Sequence, residues 1–173
     1  MYMRKNGDLV LHQRTFIQSV LDKCNKSSIN GNKAVQMDKL PAERLPAPAE
    51  LEVLQCHSGE FNWLATRTRL DLSYYTSLLA SSCSKHADWS LELVKKILRF
   101  LAATKDQGIV ISVSGRPDDL MAWSDAGYAG TDTRSQSGLV IMWGGSIITW
   151  RSSRQTVSTL STAEAELNAA TLA

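Results

Sequence analysis

The chain has 173 residues, a formal net charge of +2 at pH 7, 43% hydrophobic residues and 21% charged residues. This composition is ordinary for a globular protein and excludes a disordered or low-complexity chain. The length allows one domain with a substantial core or two small domains. The small positive charge neither requires nor excludes a nucleic-acid partner.

Cysteine use and apolar runs bear on the cellular compartment. Cys24, Cys56 and Cys83 are far apart and form no C-x-x-C pair. They are therefore interpreted as reduced thiols, and neither a disulfide framework nor a zinc site is predicted. No apolar run approaches the length of a membrane span, and the N-terminus lacks the apolar core of a signal peptide. We expect an intracellular chain, cytoplasmic or nuclear, that is not secreted and has no membrane partner.

The N-terminal segment predicts a strand, a helix and then a linker. Leu9-Val10-Leu11 is a short apolar run typical of an edge strand. Apolar residues at helical spacing after it predict an amphipathic helix from Gln13 to Cys24. Residues 25–50 contain three of the four prolines and clusters of Ser, Asn and Gly. That composition is typical of a loop or linker.

Three helices are predicted between residues 58 and 108, and the last of them has a clear apolar stripe. On its outer face Lys95 and Arg99 form a basic ridge, and Glu92 is predicted to pair with Lys96 four residues later. Two interpretations of the ridge stay open: a solvated helix face, which is the default, or a surface that contacts phosphates.

Strand patterns dominate residues 109–150. The predicted strands are Ile109–Val113, Met121–Ser124, Gly138–Trp143 and Ser146–Trp150. Gly144-Gly145 supplies the positive φ angles of a tight hairpin turn between the last two strands. Asp125 ends the strand that begins at Met121. Tryptophans that alternate with apolar residues in these strands are expected in the core: Trp123, Trp143 and Trp150.

A helix is predicted after the last strand. Ser161-x-x-Glu164 has the spacing of a capping box. One face of the helix is predicted to pack on the sheet, and it consists of Ala163, Glu166, Leu167 and Ala170. A carboxylate on a buried stripe is costly unless a positive group meets it. Because Asp125 is a second carboxylate at the end of a nearby strand, Glu166 and Asp125 predict a divalent-metal site.

Other polar residues give weaker signals. Arg151 and Arg154 follow the last predicted strand near the two acids, and contact with phosphate or simple solvation are equally open for them. Asp118-Asp119 lies in a turn without the apolar flanks of a polymerase aspartate pair. The three histidines have no Cys or acidic partner at ligand spacing, so neither a metal nor a catalytic role is predicted for them. They are His12, His57 and His86.

Four sequence blocks occur in a fixed order: Trp123–Gly130, Thr133–Gly138, Ile148–Gln155 and Ser161–Leu167. Together they resemble the ribonuclease H domain of the Pol polyprotein of Ty1/copia-type retrotransposons. Looser matches lie upstream. Asp8–Gln13 resembles the end of the reverse transcriptase, and Trp63–Arg69 with Ile97–Leu101 resembles the connection that follows it. One departure is Leu70, which replaces the proline usual in the family before Asp71.

The resemblance implies an α+β chain, with a helical connection segment followed by a partial ribonuclease H-like fold made of an antiparallel strand meander and the first helix. The implied divisions are residues 1–24 (end of the reverse transcriptase), 25–57 (linker), 58–108 (helical connection) and 109–173 (truncated ribonuclease H-like domain).

The resemblance also implies a chemistry. In such domains acids hold two Mg²⁺ ions, which activate water to cut the RNA strand of an RNA/DNA hybrid, beside a reverse transcriptase upstream. Asp125 matches the first-strand acid and Glu166 the helix acid, while the later acids are expected beyond Ala173. The implied partners are the hybrid and the rest of the polyprotein, with no small-molecule cofactor. With two acids, we expect weak Mg²⁺ binding and little or no cleavage by this chain alone.

Two alternatives to a fragment of an enzyme stay open. The first is a non-catalytic nucleic-acid-binding or interaction module that uses the basic residues Lys95, Arg99, Arg151 and Arg154. The second is a degenerate transposon remnant. In the second case the open sheet edge and uncovered apolar surface predict aggregation of the isolated chain.

Overall fold

The computed structural model describes residues 1–24, 34–37, 40–113, 115–116, 118–128 and 134–172. The chain is mixed α+β, as expected. Its strands are β1 (Tyr2–Met3), β2 (Leu9–His12), β3 (Gly108–Ile111), β4 (Leu120–Gly127), β5 (Gln136–Trp143) and β6 (Ser146–Arg154). Its α-helices are α1 (Arg14–Lys23), α2 (Pro48–Arg67), α3 (Ser73–Ser82), α4 (Ala87–Ala103) and α5 (Thr162–Ala170), and one 3-10 turn (Leu70–Leu72) precedes α3.

The chain divides into two compact units. Residues 12–108 form one, here called the helical unit. Residues 1–11 and 109–173 form the other, here called the sheet unit.

The helical unit has an apolar core to which all four of its helices contribute. Fully buried side chains fill it, and the largest are Ile17, Val20, Leu54, Phe61, Leu64, Leu72, Leu79, Leu93, Ile97 and Leu101. The stripe predicted for α4 is buried as its spacing requires, because Val94, Ile97, Leu98 and Leu101 are all in this core.

Polar contacts fix the ends of these helices. The guanidinium of Arg44 donates to Asp88 at 2.6 and 2.8 Å and to Glu50 at 3.1 Å, which joins the first turns of α2 and α4. The Glu50 carboxylate also accepts the N–H of Ala47 at 2.9 Å. With Pro48 at its first turn, α2 therefore begins inside the residues predicted as linker. Of that segment, residues 25–33 and 38–39 lie outside the described residues.

The sheet unit contains two three-stranded sheets, ordered β1-β2-β3 and β4-β5-β6. The second is an antiparallel meander, and α5 packs on its strands β4 and β5. The apolar contact between helix and sheet consists of Ala126, Ala165 and Ala169. Alanine side chains allow a close approach, and they bury little apolar area.

The meander confirms most of the predicted strands and refines their ends. Gly144 and Gly145 form the hairpin turn with φ of 54° and 75°, as their sequence predicts. β6 continues to Arg154, four residues beyond its predicted end, so the two arginines lie in the strand. The expectation of core tryptophans is wrong for Trp123 and Trp143, which are about half exposed (48% and 54%).

Candidate functional site

Asp125 lies in β4 with an exposed side chain. Its partner across the ladder is Gly138 of β5, and the next residue across is Ser152 of β6. Since Gly138 has no side chain, the space beside the carboxylate stays open. A Cβ built on Gly138 meets only the Asp125 carbonyl oxygen, at 3.9 Å. Because strand side chains alternate between faces, Asp125 leaves β4 on the face opposite to its buried neighbour Ala126.

Glu166 lies in α5 and is half-buried. The face of α5 that was predicted to pack on the sheet is shifted by one residue from the face that packs in the structure. Ala163 and Ala170 are exposed, and Leu167 is 66% exposed, whereas Ala165 and Ala169 are fully buried. Glu166 follows Ala165 directly and borders the observed packed face, whereas the sequence predicted that it lies on that face.

The two acids are sequence neighbours of residues in one helix–strand contact, but Asp125 lies on the face of β4 opposite to Ala126, whereas Glu166 borders the packed face of α5. Asp125 precedes Ala126, and Glu166 follows Ala165, and these alanines belong to one buried cluster. Among the described residues, neither carboxylate has a side-chain hydrogen bond or ion pair. No group of three or more His, Cys, Asp or Glu side chains suited to a metal ion occurs in the described part of the chain. The described residues therefore supply no complete ligand cage.

A helix cap holds the start of α5. The Ser161 hydroxyl accepts the N–H of Glu164 at 3.2 Å, as predicted. The Glu164 carboxylate accepts the N–H of Leu160 at 2.7 Å, one residue before the position that a capping box requires. Glu164 is thus engaged with backbone, and Glu166 is the acid of this helix that is left for other contacts.

Arg151 and Arg154 border a cavity of about 160 Å³ between β6 and the end of α5. Arg151 lies opposite Leu139 and Arg154 opposite Gln136, and both arginines are exposed. The other lining residues supply mainly hydroxyl and amide groups: Ser137, Ser153, Gln155, Thr156, Val157, Asn168, Thr171 and Leu172. Two cations beside neutral donors and acceptors suit a phosphate with its attached sugar.

Gln155 fixes one wall of this cavity and was not predicted as a site residue. Its Nε2 donates to the Ser137 hydroxyl and to the Ala165 carbonyl, both at 2.9 Å. A carbonyl accepts only from N–H or O–H, so the amide orientation is determined and Oε1 is the free acceptor. That buried Oε1 has no partner among the described residues. The sequence signal that could have identified Gln155 is its position at the end of the block Ile148–Gln155, which precedes α5.

Lys95 and Arg99 lie in the helical unit, on α4. Both approach Glu92, at 3.7 and 3.8 Å, so part of the ridge charge is neutralised locally. The predicted partner of Glu92 was wrong, because Lys96 instead donates to the Gln36 carbonyl at 2.7 Å. Arg99 and Lys96 border a second cavity of about 170 Å³. Arg151 and Arg154 make no such ion pair within the described residues, so they are the stronger phosphate candidates.

The structure defines a mixed α+β chain in which one helix covers a three-stranded antiparallel meander. Each of these two elements carries one of the acids. Comparison with known proteins identifies its family. The chain is 35% identical over 125 residues to the retrovirus-related Pol polyprotein from transposon RE2 of Arabidopsis thaliana, a match covering 71% of this chain and 8% of that protein. It is 36% identical over 110 residues to the Pol polyprotein from transposon RE1 of the same plant, covering 62% of this chain and 7% of that protein.

Pol polyproteins at 25–36% identity together match most of the chain, which belongs to the Pol polyproteins of copia-type retrotransposons. The chain spans less than a tenth of the length of the two Arabidopsis relatives. It is also 31% identical over 110 residues to the secreted RxLR effector protein 161 of Plasmopara viticola, covering 62% of this chain and 77% of that protein.

No family model and no solved structure matches the chain. Among the described residues, no helix combines the length and apolar character needed to cross a membrane.

Proposed function

We propose that the sheet unit is part of a ribonuclease H-like domain of a copia-type Pol polyprotein, whose full form copies RNA into DNA and hydrolyses the RNA strand of RNA/DNA hybrids. On this proposal the helical unit derives from the end of the reverse transcriptase and its connection, with divisions near residues 24, 57 and 108. The observation that carries the proposal is the antiparallel meander covered by α5, in which each element has an acid next to a packed alanine: Asp125 beside Ala126 and Glu166 beside Ala165.

The two acids are of the chemical type that a magnesium site uses. Mg²⁺ prefers oxygen donors and is commonly held by one or two carboxylates with water and substrate phosphates. Asp125 and Glu166 are carboxylates without side-chain partners among the described residues, and the glycine opposite Asp125 leaves room for a ligand. When bound there, Mg²⁺ would activate water and neutralise charge on a scissile phosphate.

The remaining residues have simpler roles in this proposal. Arg151 and Arg154 hold a backbone phosphate of the hybrid by charge-assisted hydrogen bonds. Gln155 positions α5 on β5 through Ser137 and Ala165. Two carboxylates are too few to fix two ions, so we propose that the chain alone cleaves little or no hybrid.

Hydrolysis of an RNA/DNA hybrid by a longer segment of the polyprotein tests the proposal. With Mg²⁺ present, Asp125→Asn and Glu166→Gln are each expected to reduce the rate by about 100-fold or more. Glu164→Gln is the matched control, because glutamine also serves at this cap position and the net charge change is the same. Cleavage that survives Asp125→Asn and Glu166→Gln would contradict the assignment.

A second function is favoured by one observation, the cavity between Arg151 and Arg154. Here the chain binds nucleic acid without cleaving it, and the acids are relics. The Arg151→Gln/Arg154→Gln variant would then lose hybrid binding in the absence of Mg²⁺, and the dependence of affinity on salt would become shallower. The control is Lys95→Gln/Arg99→Gln, which removes the same charge. Equal losses in both variants would point to non-specific attraction instead.

A further inference from the structure

A cluster of three side chains joins α1 and α2 and is independent of the acids of the sheet unit. The Sγ of Cys24 lies 3.9 Å from Nε2 of His57. Nδ1 of His57 lies 3.0 Å from Oε2 of Glu60. The sequence showed no Cys or acidic partner at ligand spacing for His57, whereas the structure places Cys24 and Glu60 beside it. The spacing of His57 and Glu60 at i and i+3 of a helix was the overlooked signal.

The hydrogen bonds determine which nitrogen of His57 carries the proton. An ionised carboxylate only accepts, so in a neutral imidazole Nδ1 is the nitrogen that donates to Glu60 and Nε2 is the nitrogen whose lone pair faces the thiol. The second oxygen of Glu60 accepts from the Lys23 ammonium at 2.9 Å, and this bond raises the pKa of Lys23. The ring of His57 also stacks on Phe61 at 5.5 Å, which restricts its rotation. His57 is therefore held with its basic nitrogen facing Cys24.

Burial favours this arrangement over a solvated one. The side chains of His57 and Glu60 are only 15% and 11% exposed. Cys24 is only half-buried, and the proposal below requires that a small molecule reaches its sulfur. A nucleophile within reach of a base, with the base oriented by a third group, is the arrangement that activates cysteine thiols.

We propose that Cys24 is a thiol–disulfide exchange site for small-molecule disulfides, with His57 as base and Glu60 as positioning residue. The Cys24 thiol transfers its proton to Nε2 of His57, and Glu60 stabilises the imidazolium. The thiolate attacks one sulfur of the disulfide, a new S–S bond forms to Cys24, and the original S–S bond breaks. The departing thiolate takes the proton from His57. One disulfide and one thiol are consumed, and one mixed disulfide and one thiol are formed.

Exchange with oxidised glutathione, followed by peptide mass spectrometry of the 173-residue chain, tests this proposal. Cys83 is the internal control, because it is also half-buried but its Sγ donates to the Ala80 carbonyl at 3.6 Å. Cys24 is expected to form the mixed disulfide about tenfold faster than Cys83 at neutral pH. His57→Gln is expected to reduce the Cys24 rate to that of Cys83, and Glu60→Gln to an intermediate rate.

The direction of the His57→Gln effect separates catalysis from packing. If His57 only covers the thiol, its replacement exposes Cys24 and the rate rises or stays the same, which would overturn the proposal. Equal rates for Cys24 and Cys83 in the unsubstituted chain would overturn it as well. Rates are measured below the unfolding temperature of each variant, and Glu60→Gln provides the same test with the imidazole in place.

Discussion

Arg69 is the clearest case in which one residue joins several elements. Its side chain is 1% exposed. The guanidinium donates to the Asp71 carboxylate at 2.8 Å and to the carbonyl and hydroxyl of Thr104 at 3.1 and 2.8 Å. It also lies over the Phe100 ring, 5.4 Å from the centroid. A buried cation with this many acceptors links the end of α2 to the end of α4.

Replacement of Arg69 is therefore expected to destabilise the chain strongly. Arg69→Met leaves the Thr104 carbonyl without its side-chain donor and Asp71 without its cation, at a cost of about 3 kcal/mol. The control is Arg67→Met, because the exposed Arg67 only lies over Trp63 at 4.6 Å and should cost about 0.5 kcal/mol. Urea unfolding measures both, and equal costs would contradict the role of Arg69.

Glu50 gives a prediction for acid. Its hydrogen bonds from Arg44 and from the Ala47 N–H lower the pKa of the carboxyl below its usual 4.5. A lowered folded-state pKa stabilises the fold at pH above the unfolded value, and this stabilisation is lost as the pH falls through the folded-state pKa. Glu50→Gln should therefore flatten the loss of stability below pH 4.5. Glu52→Gln, the same change at an exposed position two residues later, is the control for the loss of one negative charge in titrated urea unfolding.

At the scale of elements, the sequence predicts where most elements lie more reliably than which face packs. Periodicity located α1, α4 and the meander, because each has several large apolar residues. In α5 two faces compete, one with Leu167 and one with Ala165 and Ala169. Hydrophobicity favours the leucine, but close contact with Ala126 of β4 requires small residues. The orientation of α5 depends on its contacts with the sheet, and these contacts cannot be derived from the sequence of α5 alone.

This orientation gives a paired test. Leu167→Ala should change the free energy of unfolding by less than about 0.5 kcal/mol, because the side chain is 66% exposed. Ala169→Leu should cost about 1–3 kcal/mol, because the added carbons overpack the contact with the sheet. Amide hydrogen exchange in β5 measures how each substitution changes the stability of the sheet unit. A large decrease in the free energy of unfolding for Leu167→Ala would contradict the observed packing face of α5 and support the face predicted from the sequence.

At the scale of the whole molecule, the two units differ in their cores. Among the described residues the helical core contains sixteen buried apolar residues, whereas the contact between α5 and the meander contains three alanines. Hydrogen bonds supplement that contact, including Ser135 to Thr159 at 3.1 Å. Apolar burial is the main stabilising term, so the sheet unit should open at a lower free energy.

Hydrogen exchange measures this difference directly. Core amides of α2 and α4 should exchange about tenfold or more slowly than those of β5, although β5 is paired on both sides. Equal protection in β5 and α4 would show that the meander is stabilised by more than the described contacts.

For the candidate site, as for the fold, some features could be predicted from the sequence and others depend on the three-dimensional structure. The order of the blocks led to Asp125 and Glu166 from the sequence alone. The open space at Gly138 depends on strand register. The orientation of Gln155, whose Oε1 has no partner among the described residues, depends on packing around α5. Neither can be obtained from motif spacing.

A titration of the 173-residue chain with Mg²⁺, followed by backbone amide resonances, tests the site most directly. Resonances of Asp125, Gly138 and Glu166 are expected to shift together at millimolar Mg²⁺, to stop shifting in Asp125→Asn, and to behave normally in Glu164→Gln. Shifts that persist unchanged in Asp125→Asn, or that occur only away from these residues, would contradict a metal site at the two acids.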